Sequence, residues 1–408
     1  MNYFSFVRQF PRLLFFGLLV KFFSSPGQTF FLSMFSSYFR ESLSLGEGFY
    51  NVAYSAATLV SAVTISIVGP YLDKTTSLKG TKIIACGLVI SCVLMSFSNW
   101  TFMWCFCLFF IRFLGQGMMG LTAQTAMIRW FYSNRGKALG LTSIGFSLGE
   151  IVFPLFIPIC IEGIGWRMTW WVVAVLVIFL VILWIPFLAQ PRDEFVDVGL
   201  GESQNSKPSS DPAFTRGMIL KDIRFYLFTP SMMVLPMVAT GLIWNQSGIA
   251  DWKGWDQGWM IRSFIGFGAG RLLFSLIAGP LVDKYSAIKI FGIFLFPVSV
   301  AVAAPIVSNG LWVPWLLYIL LGLGQGLAGV TSSALWPEIY GTKHIAAIKS
   351  FANTFAVFST ALGPGLISFI LNLGYGFDKV LIIFLVITLS FWILGLIGIA
   401  YHLRMVKN

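Results

Sequence analysis

Long apolar runs separated by short polar segments follow one another along the whole chain. A helix that crosses the roughly 30 Å hydrocarbon core of a bilayer needs about 20 mostly apolar residues, and each run has about that length. No segment shows the alternating polarity of a membrane β-strand. The pattern therefore predicts an all-α membrane protein with twelve transmembrane helices. Their approximate ranges are 12–38, 48–70, 80–98, 101–127, 138–161, 168–189, 223–247, 259–281, 287–307, 312–334, 345–371 and 378–402.

Two short motifs each occur twice along the chain, at nearly the same spacing. Residues 114–122 read LGQGMMGLT, and residues 323–331 repeat them as LGQGLAGVT. Residues 69–74 read GPYLDK, and residues 279–284 repeat them as GPLVDK. Two unrelated motifs repeated about 210 residues apart indicate that the chain consists of two related halves. We therefore expect two pseudo-symmetric six-helix bundles.

One long polar stretch, residues 190–221, lies between the sixth and the seventh apolar run. It is rich in Pro, Gly, Ser and Asp and has too few apolar residues to bury a core, which is typical of a flexible linker. These boundaries predict an N-terminal six-helix bundle at residues 1–189, a linker at 190–221 and a C-terminal six-helix bundle at 222–408.

Composition supports a membrane protein and excludes several other classes. Hydrophobic residues make up 57% of the 408 residues and charged residues only 11%, whereas a soluble domain carries roughly 25% charged residues. The net charge of +11 is spread between apolar runs and forms no patch for nucleic acid. The five cysteines lie inside apolar runs and the two histidines near loops or a terminus. The sequence therefore predicts no metal site, no cofactor and no enzyme.

Lysines and arginines between the runs fall mainly on one side of the membrane if both termini are placed in the cytoplasm. The exceptions are Arg40, Arg167, Lys253, Arg262 and Lys379. Because cytoplasmic loops carry an excess of Lys and Arg, this distribution predicts an even number of helices with both termini cytoplasmic. We expect a multi-pass protein of the plasma (inner) membrane.

Twelve helices in two halves, joined by a cytoplasmic linker, resemble the major facilitator superfamily. The loop between helices two and three in that family has the pattern G-x-x-x-D-[RK]-x-G-[RK]-[RK]. The residues that match it are Gly69, Asp73 and Lys74 in the first half, and Gly279, Asp283 and Lys284 in the second. Residues 75–78 lack the second glycine and the basic pair. Arg112 is similar to the arginine of the family's fourth helix, and the resemblance implies a transporter that works by alternating access.

Within that superfamily, the eighth helix resembles the monocarboxylate and oxalate–formate transporter branch. Residues 268–271 read GAGR and precede the second GxxxDK loop, which is similar to the G-x-G-R helix of that branch. Residues 130–136, which begin with Trp-Phe and end with Arg-Gly, resemble its W-F…R-G loop before helix five. The resemblance implies a small, monocarboxylate-like substrate.

The first apolar run contains a lysine and a helix-breaking sequence near its middle. Lys21 lies roughly 14 Å along a helix from Arg12, which places its charge near the membrane midplane. The sequence SSPGQ follows, in which Pro26 removes a backbone hydrogen bond and Gly27 loosens the helix. Broken helices commonly line substrate cavities, so Lys21 and Gln28 are candidate substrate-binding residues. The alternatives are a lysine that snorkels to the interface and a simple packing kink.

Three further charged residues lie at membrane depth. Arg112 in helix four and Glu150 in helix five both lie near the midplane, so an ion pair between them would offset both desolvation costs. The pair could be permanent and structural, or Glu150 could accept a proton and exchange partners during transport. Arg271 in helix eight has no acidic residue within two turns of its own helix, and a guanidinium suits carboxylate recognition. We therefore predict Arg271 and Arg112 to bind substrate, and Glu150 with Arg112 to couple protons.

The two GxxxDK loops are predicted to act as gates. A carboxylate at a helix end can accept hydrogen bonds from a helix N-terminus or pair with a basic residue of a neighbouring helix. Such contacts would hold the halves closed on the cytoplasmic side and break as the halves rock apart. The candidate gating residues are Asp73, Lys74, Asp283 and Lys284. A solvated loop without a gating role is the alternative.

The surplus of cations at membrane depth favours an anionic substrate. The sequence thus predicts a secondary transporter, working as a monomer in the bilayer, that moves a small organic anion by alternating access with proton symport. The alternative is an exporter of an amphipathic compound such as a siderophore or drug, because 41 phenylalanines would suit an apolar cavity as well as a lipid-facing surface. A membrane enzyme would need a clustered catalytic set, and a receptor would need a larger extramembrane domain than the linker.

Overall fold

The computed structural model of the chain describes residues 3–69, 72, 75–131, 135–180, 184–189, 216–340 and 345–407. Within those ranges the chain is almost entirely helical and contains no β-strand. The helices form two compact units, Met1–Asn205 and Ser206–Asn408. Most of the predicted linker, residues 190–215, lies outside the described residues. The all-α class predicted from the apolar runs is confirmed.

The described part of the first unit consists mainly of α-helices, with a 3₁₀ turn and a π-helical segment between them. They are α1 (Tyr3–Gln9), α2 (Pro11–Phe22), the 3₁₀ turn Ser25–Gly27, α3 (Thr29–Ser33), α4 (Ser36–Ser42), α5 (Glu47–Val68), α6 (Ser77–Ser96), α7 (Thr101–Ile111), the π-helical segment Arg112–Met119, α8 (Gly120–Trp130), α9 (Arg135–Phe179) and α10 (Ile185–Leu188). Gly165 inside α9 has a φ of 80° and a ψ of 159°. Because only glycine adopts this conformation at little cost, α9 comprises two helices that join at Gly165.

The described part of the second unit consists of α-helices. They are α11 (Arg216–Ile219), α12 (Ile223–Trp244), α13 (Gln246–Lys253), α14 (Gln257–Ser263), α15 (Ile265–Tyr285), α16 (Ala287–Phe291), α17 (Leu295–Val307), α18 (Val313–Tyr340), α19 (Ile345–Asn372) and α20 (Phe377–Lys407). The long α18 contains the second copy of the LGQG motif and remains α-helical throughout.

Eight helical segments among the described residues are long and apolar enough to cross a membrane on their own. One of them, Lys137–Phe179, is divided at Gly165 and supplies two crossings. The broken series from α2 to α4, the helix α5 and the helix α19 supply the remaining three. The described helices thus give the twelve-helix arrangement that the apolar runs predict.

Glycines allow an extensive helix contact in the second unit, between α15 and α18. A Cβ atom on Gly270 would lie 2.7 Å from the carbonyl oxygen of Ile319. A Cβ atom on Gly326 would likewise lie 2.7 Å from the carbonyl oxygen of Arg271. Backbones approach this closely only where small residues leave room, which is how glycines hold membrane helices together. We therefore interpret the glycines of the second LGQG motif as packing residues.

The internal repeat is present in the packing as well as in the sequence. Gly117 and Gly326 occupy the same position in the two copies of the LGQG motif. A Cβ atom on Gly117 would meet the Ile65 side chain of α5, and one on Gly326 would lie 2.9 Å from the backbone nitrogen of Ser275 in α15. Ile65 and Ser275 are themselves about 210 residues apart, as the motifs are. Each copy of the motif therefore packs against the equivalent helix of its own unit.

Asp222 caps the N-terminus of α12 and binds an arginine in the first turn of that helix. Its Oδ1 accepts a hydrogen bond from the Arg224 backbone nitrogen at 2.8 Å, and its Oδ2 accepts one from Arg224 Nη2 at 2.6 Å. The Arg224 guanidinium packs over the Tyr340 ring, 5.3 Å from its centroid. Loss of an aspartate cap costs about 1–2 kcal/mol. We expect Asp222→Ala to lower the Tm of the detergent-solubilised protein by several degrees.

Asp256→Ala is the matched control for this prediction. Asp256 caps α14 through a 2.6 Å bond from the Trp259 backbone nitrogen, but its carboxylate is exposed and its contact with Arg262 is 3.5 Å long. Exposed ion pairs contribute little, so this variant should lower the Tm less. Equal losses in the two variants would contradict a stabilising role for the half-buried Asp222–Arg224 network.

Candidate substrate-binding site

The first membrane segment is broken where the sequence predicts it, after Lys21. The helix α2 ends at Phe22, and Ser25–Gly27 form a 3₁₀ turn. Gln28 then has an extended conformation, with φ −82° and ψ 152°, before α3 begins. The carbonyl oxygen of Lys21 accepts two hydrogen bonds from Ser24, one from the hydroxyl at 2.6 Å and one from the backbone nitrogen at 3.2 Å. The break exposes backbone groups in the interior of the first unit.

The break faces a π-helical segment, Arg112–Met119, which interrupts the fourth membrane segment. Gly27 of the break and Gly115 of the π-helical segment bring their backbones together, since a Cβ atom on Gly115 would lie 2.7 Å from the Gly27 nitrogen. Nothing in the sequence predicted the π-helical geometry. π-helical turns are frequent at functional sites, which makes this contact the starting point for a binding site.

Arg112 is the first residue of the π-helical segment and is fully buried. Its Nη1 donates to the carbonyl oxygen of Gly27 at 3.2 Å and lies 3.5 Å from Thr29 Oγ1. The guanidinium carbon lies 4.5 Å from the centroid of the Tyr54 ring, and the Tyr54 hydroxyl is 2.5 Å from Thr29 Oγ1. The arginine Nε and Nη2 are buried and have no hydrogen-bond partner among the described residues. The Nη1 group therefore binds the broken first segment, and the Nε and Nη2 groups remain available to donate hydrogen bonds.

The Arg112–Glu150 ion pair expected from the sequence is not among the contacts of Arg112 in the described residues. Both side chains are buried within the protein. The depth of a residue in the membrane does not determine which way its side chain points around the helix axis. The Arg112 side chain points toward Gly27 of the first segment. Glu150 follows Gly149, where a Cβ atom would meet the hydroxyl of Ser25.

Lys21 and Gln28 flank the break, as the sequence predicts. The Lys21 ammonium lies 5.3 Å from the centroid of the Phe146 ring, and a Cβ atom on Gly120 would lie 2.9 Å from its Nζ. Phe146 precedes Glu150 by one turn of α9, so the two share a helix face. Gln28 is buried. The first unit therefore gathers Lys21, Gln28, Arg112 and Glu150 around one broken helix.

The second unit has an equivalent break that the sequence analysis missed. The helix α12 ends at Trp244, and Asn245, with φ −97° and ψ 20°, separates it from α13. The buried Tyr318 hydroxyl donates to Gln246 Oε1 at 2.9 Å, and the Tyr318 ring contacts that of Phe264 at 5.1 Å. The signal was present as the polar pair Asn-Gln at the end of an apolar run. Interrupted helices at corresponding positions of two repeats are typical of transporter binding sites.

Arg271 lies in α15 of the second unit and is half-buried. Its carbonyl oxygen faces Gly326 of α18, so its backbone belongs to the tight α15–α18 contact. The sequence predicts Arg271 to bind substrate. Arg112 is the more deeply buried of the two arginines, and it donates to the carbonyl oxygen of Gly27 in the broken first segment.

A family model described as the Major Facilitator Superfamily matches residues 17–252, which is more than half of the chain. The matched region includes the broken first segment, the π-helical segment and all of α9. The chain belongs to the major facilitator superfamily. As a transporter of that superfamily it is not an enzyme, and it moves a small molecule across a membrane.

Solved structures of superfamily transporters have the same fold. A bacterial homolog to the human lysosomal transporter Spinster, in an inward-facing and unoccupied conformation, has a TM-score of 0.75 at 14% identity, covering 99% of this chain and 98% of that chain. The nucleoside transporter NupG has a TM-score of 0.67 at 14% identity, covering 97% of this chain and 99% of that chain. At such identities the likeness shows the fold alone. No curated protein matches the sequence.

The superfamily loop motif lies mostly outside the described residues. Asp73 and Lys74 are among the residues that the structure does not describe, and the same holds for the side chain of Asp283. Lys284 is exposed, with its ammonium 5.0 Å from the Tyr285 ring centroid. The gating role of these four residues therefore stays a prediction.

Arg129 of α8 binds the backbone beside the first GxxxDK loop, which the sequence analysis did not anticipate. Its Nη1 donates to the carbonyl oxygen of Thr75 at 2.7 Å, and its Nη2 donates to that of Leu72 at 3.0 Å. These bonds attach the chain on both sides of residues 73–74 to the fourth membrane segment.

Among the described residues, no group of three or more His, Cys, Asp or Glu side chains could hold a metal ion.

Proposed function

We propose that this superfamily transporter carries a small, monocarboxylate-like organic anion and that Arg112 binds its carboxylate. The observation that supports the proposal is the buried edge of the Arg112 guanidinium, whose Nε and Nη2 have no hydrogen-bond partner among the described residues. These two nitrogens lie side by side and donate two parallel bonds, which is the arrangement that a carboxylate accepts. A lysine at this position would offer a single point of charge.

The energetics of burial favour an anionic ligand at Arg112. A buried cation without an acidic partner carries an uncompensated desolvation cost. The Gly27 carbonyl and the Tyr54 ring offset part of that cost, since both present negative partial charge to the guanidinium. A bound carboxylate would neutralise the charge and satisfy both remaining donors.

The other charged candidates keep proposed roles around this interaction. Lys21 and Gln28 contact the remainder of the anion from the broken helix, and Glu150 accepts the proton in symport. Arg271 keeps its proposed role as a substrate-binding cation of the second unit. The GxxxDK loops act as the cytoplasmic gates. The transporter works as a monomer in the plasma (inner) membrane, with both termini cytoplasmic.

Uptake into proteoliposomes tests this proposal. We expect labelled lactate, pyruvate, formate or oxalate to accumulate in vesicles containing the purified protein, and an acid-outside pH gradient to raise the initial rate severalfold. Arg271→Ala should reduce uptake, because it removes the second cation, whereas the exposed Arg404→Ala should not. Absence of carboxylate uptake under either gradient, with folded protein, would contradict the proposal.

Export of an amphipathic compound is the second candidate function. Aromatic rings around the first break favour it: Phe22 stacks on Phe153 at 4.9 Å, and Phe31 contacts the same ring at 5.1 Å. The uptake panel should therefore include an amphipathic dye and, in view of the nucleoside transporter with the same fold, a nucleoside. Transport of the dye that survives neutralisation of Arg112, without carboxylate transport, would favour the exporter.

A further inference from the structure

An apolar groove runs along the outside of the first unit, between α6, α7 and the π-helical segment. Its volume is about 520 Å³. Its floor is formed by the buried Phe113 and Met118 together with Leu114, all from the π-helical segment. Its rim contains Ile83 and Ile90 of α6, whose side chains are 58% and 59% exposed. In a membrane protein such a rim faces the hydrocarbon of the bilayer, so an acyl chain can enter the groove from the side.

Two lysines precede the residues that line the groove on α6. Lys79 is exposed and Lys82 is half-buried, both in the first turns of α6. Lys79, Ile83, Gly87 and Ile90 follow one another at spacings of three to four residues, so they share one face of α6. The residues of α6 that line the groove, from Ile83 to Leu94, span about 16 Å along the helix. The two lysines precede this apolar section and give that side of the groove a positive charge.

Gly87 gives the groove its depth. A Cβ atom on Gly87 would lie 3.0 Å from Leu114 Cδ1, which is tighter than an ordinary van der Waals contact. Gly87 therefore allows the Leu114 side chain to lie directly against α6. A larger side chain at this position would displace Leu114 and change the floor of the groove.

We propose that the groove binds an anionic phospholipid, with an acyl chain against Phe113, Leu114 and Met118 and the headgroup phosphate at Lys79 and Lys82. The positive charge and the apolar space together support an anionic phospholipid as the ligand. Juxtamembrane lysines attract anionic headgroups, and the groove provides room for the attached acyl chain. A neutral phospholipid fills the same space but gains nothing from the lysines.

The bound lipid also acts on the substrate site, a consequence that rests on the proposed function. The π-helical segment presents Leu114 to the groove and the neighbouring Gly115 to Gly27, and its first residue is Arg112. An acyl chain packed on the floor therefore stabilises the segment that positions the guanidinium. Carboxylate uptake should accordingly be faster in vesicles that contain the anionic lipid.

Thermal stability in lipid–detergent micelles tests the binding without any transport assay. We expect phosphatidylglycerol to raise the Tm of the wild-type protein by several degrees more than phosphatidylcholine with the same chains. The double variant Lys79→Gln/Lys82→Gln should lose this difference. The matched control Lys221→Gln/Lys289→Gln, which removes two exposed lysines of the second unit, should keep it.

Groove-filling variants test the acyl-chain part of the proposal. Gly87→Leu, which displaces the floor residue Leu114, and the rim variant Ile90→Phe should both reduce the phosphatidylglycerol effect. Ile90→Phe changes a side chain that is mostly exposed. A full lipid effect in both variants, or equal losses in the two lysine pairs, would overturn the proposal. Lipid-dependent stability without carboxylate uptake would overturn the proposed function and leave the lipid site standing. Carboxylate uptake at equal rates in both lipids would overturn only the coupling.

Discussion

Arg112→Lys should abolish most carboxylate uptake while the protein remains folded. The variant keeps the positive charge, and an ammonium can still donate to the Gly27 carbonyl, but it loses the paired Nε and Nη2 donors. A hydrogen bond to a charged group contributes about 1.5–3 kcal/mol. Loss of one such bond corresponds to a decrease of about 10- to 150-fold in uptake at low substrate concentration. Initial rates in proteoliposomes, normalised to monodisperse protein, measure the effect.

Arg262→Lys is the control for this substitution. Arg262 lies in α14 with an exposed side chain. Its guanidinium contacts the exposed Asp256 at 3.5 Å and is not part of a buried interaction. We expect its uptake to stay within about twofold of the wild-type rate. Wild-type uptake in Arg112→Lys would contradict bidentate recognition.

Arg112→Gln separates the two candidate functions, because it should remove anion uptake but leave export of an uncharged amphipathic compound.

The twelve helices could be predicted from the sequence because their cause is local. Each run of about 20 apolar residues has one stable conformation in a bilayer, where every backbone group must be paired within the segment. The break in the first segment was predictable for the same reason. Pro26 cannot donate a backbone hydrogen bond wherever the rest of the chain lies, and the structure has a 3₁₀ turn at that place.

The π-helical segment could not be predicted, since its cause is not local. Residues 114–117 and 323–326 both read LGQG, yet the first copy is π-helical and the second lies in the continuous α-helix α18. The two copies differ in their surroundings. Gly115 meets the backbone of Gly27. A Cβ atom on Gly324 would instead lie 2.5 Å from a side-chain carbon of Val298 in α17. The conformation of the first copy therefore follows from its tertiary partner.

The direction of the Arg112 side chain could not be predicted for a related reason. A count of residues along the helix estimates how deep the charge lies in the membrane, but the direction of the side chain depends on which neighbouring helix leaves an acceptor open. The broken helix offers the Gly27 carbonyl, which no intact helix would expose. A residue count along helix four contains no information about that carbonyl. The same limit applies to the second unit. The hydrogen bond between Tyr318 and Gln246 joins residues that are far apart in sequence, so it could not be predicted from either segment alone.

Gly27→Ala should be among the most destabilising single substitutions in the first unit. A Cβ atom at this position would meet backbone atoms of Ile111 and Gln116 and would lie 2.8 Å from the carbonyl carbon of Gly115. Backbone atoms cannot move aside as a flexible side chain can, so the broken helix and the π-helical segment must separate. Overpacking of this kind costs about 3 kcal/mol, which corresponds to a fall in Tm of about 6–12 °C for a unit of this size.

Gly163→Ala provides the matched comparison for this last prediction. A Cβ atom on Gly163 would have no neighbour within 4 Å, so the added methyl group meets open space. An alanine there reduces the freedom of the unfolded chain, and the Tm should stay the same or rise slightly. An unchanged Tm in Gly27→Ala would show that the first segment and the π-helical segment are not in backbone contact. The Gly27 carbonyl would then be unable to hold Arg112, and the basis of the carboxylate site would be lost with it.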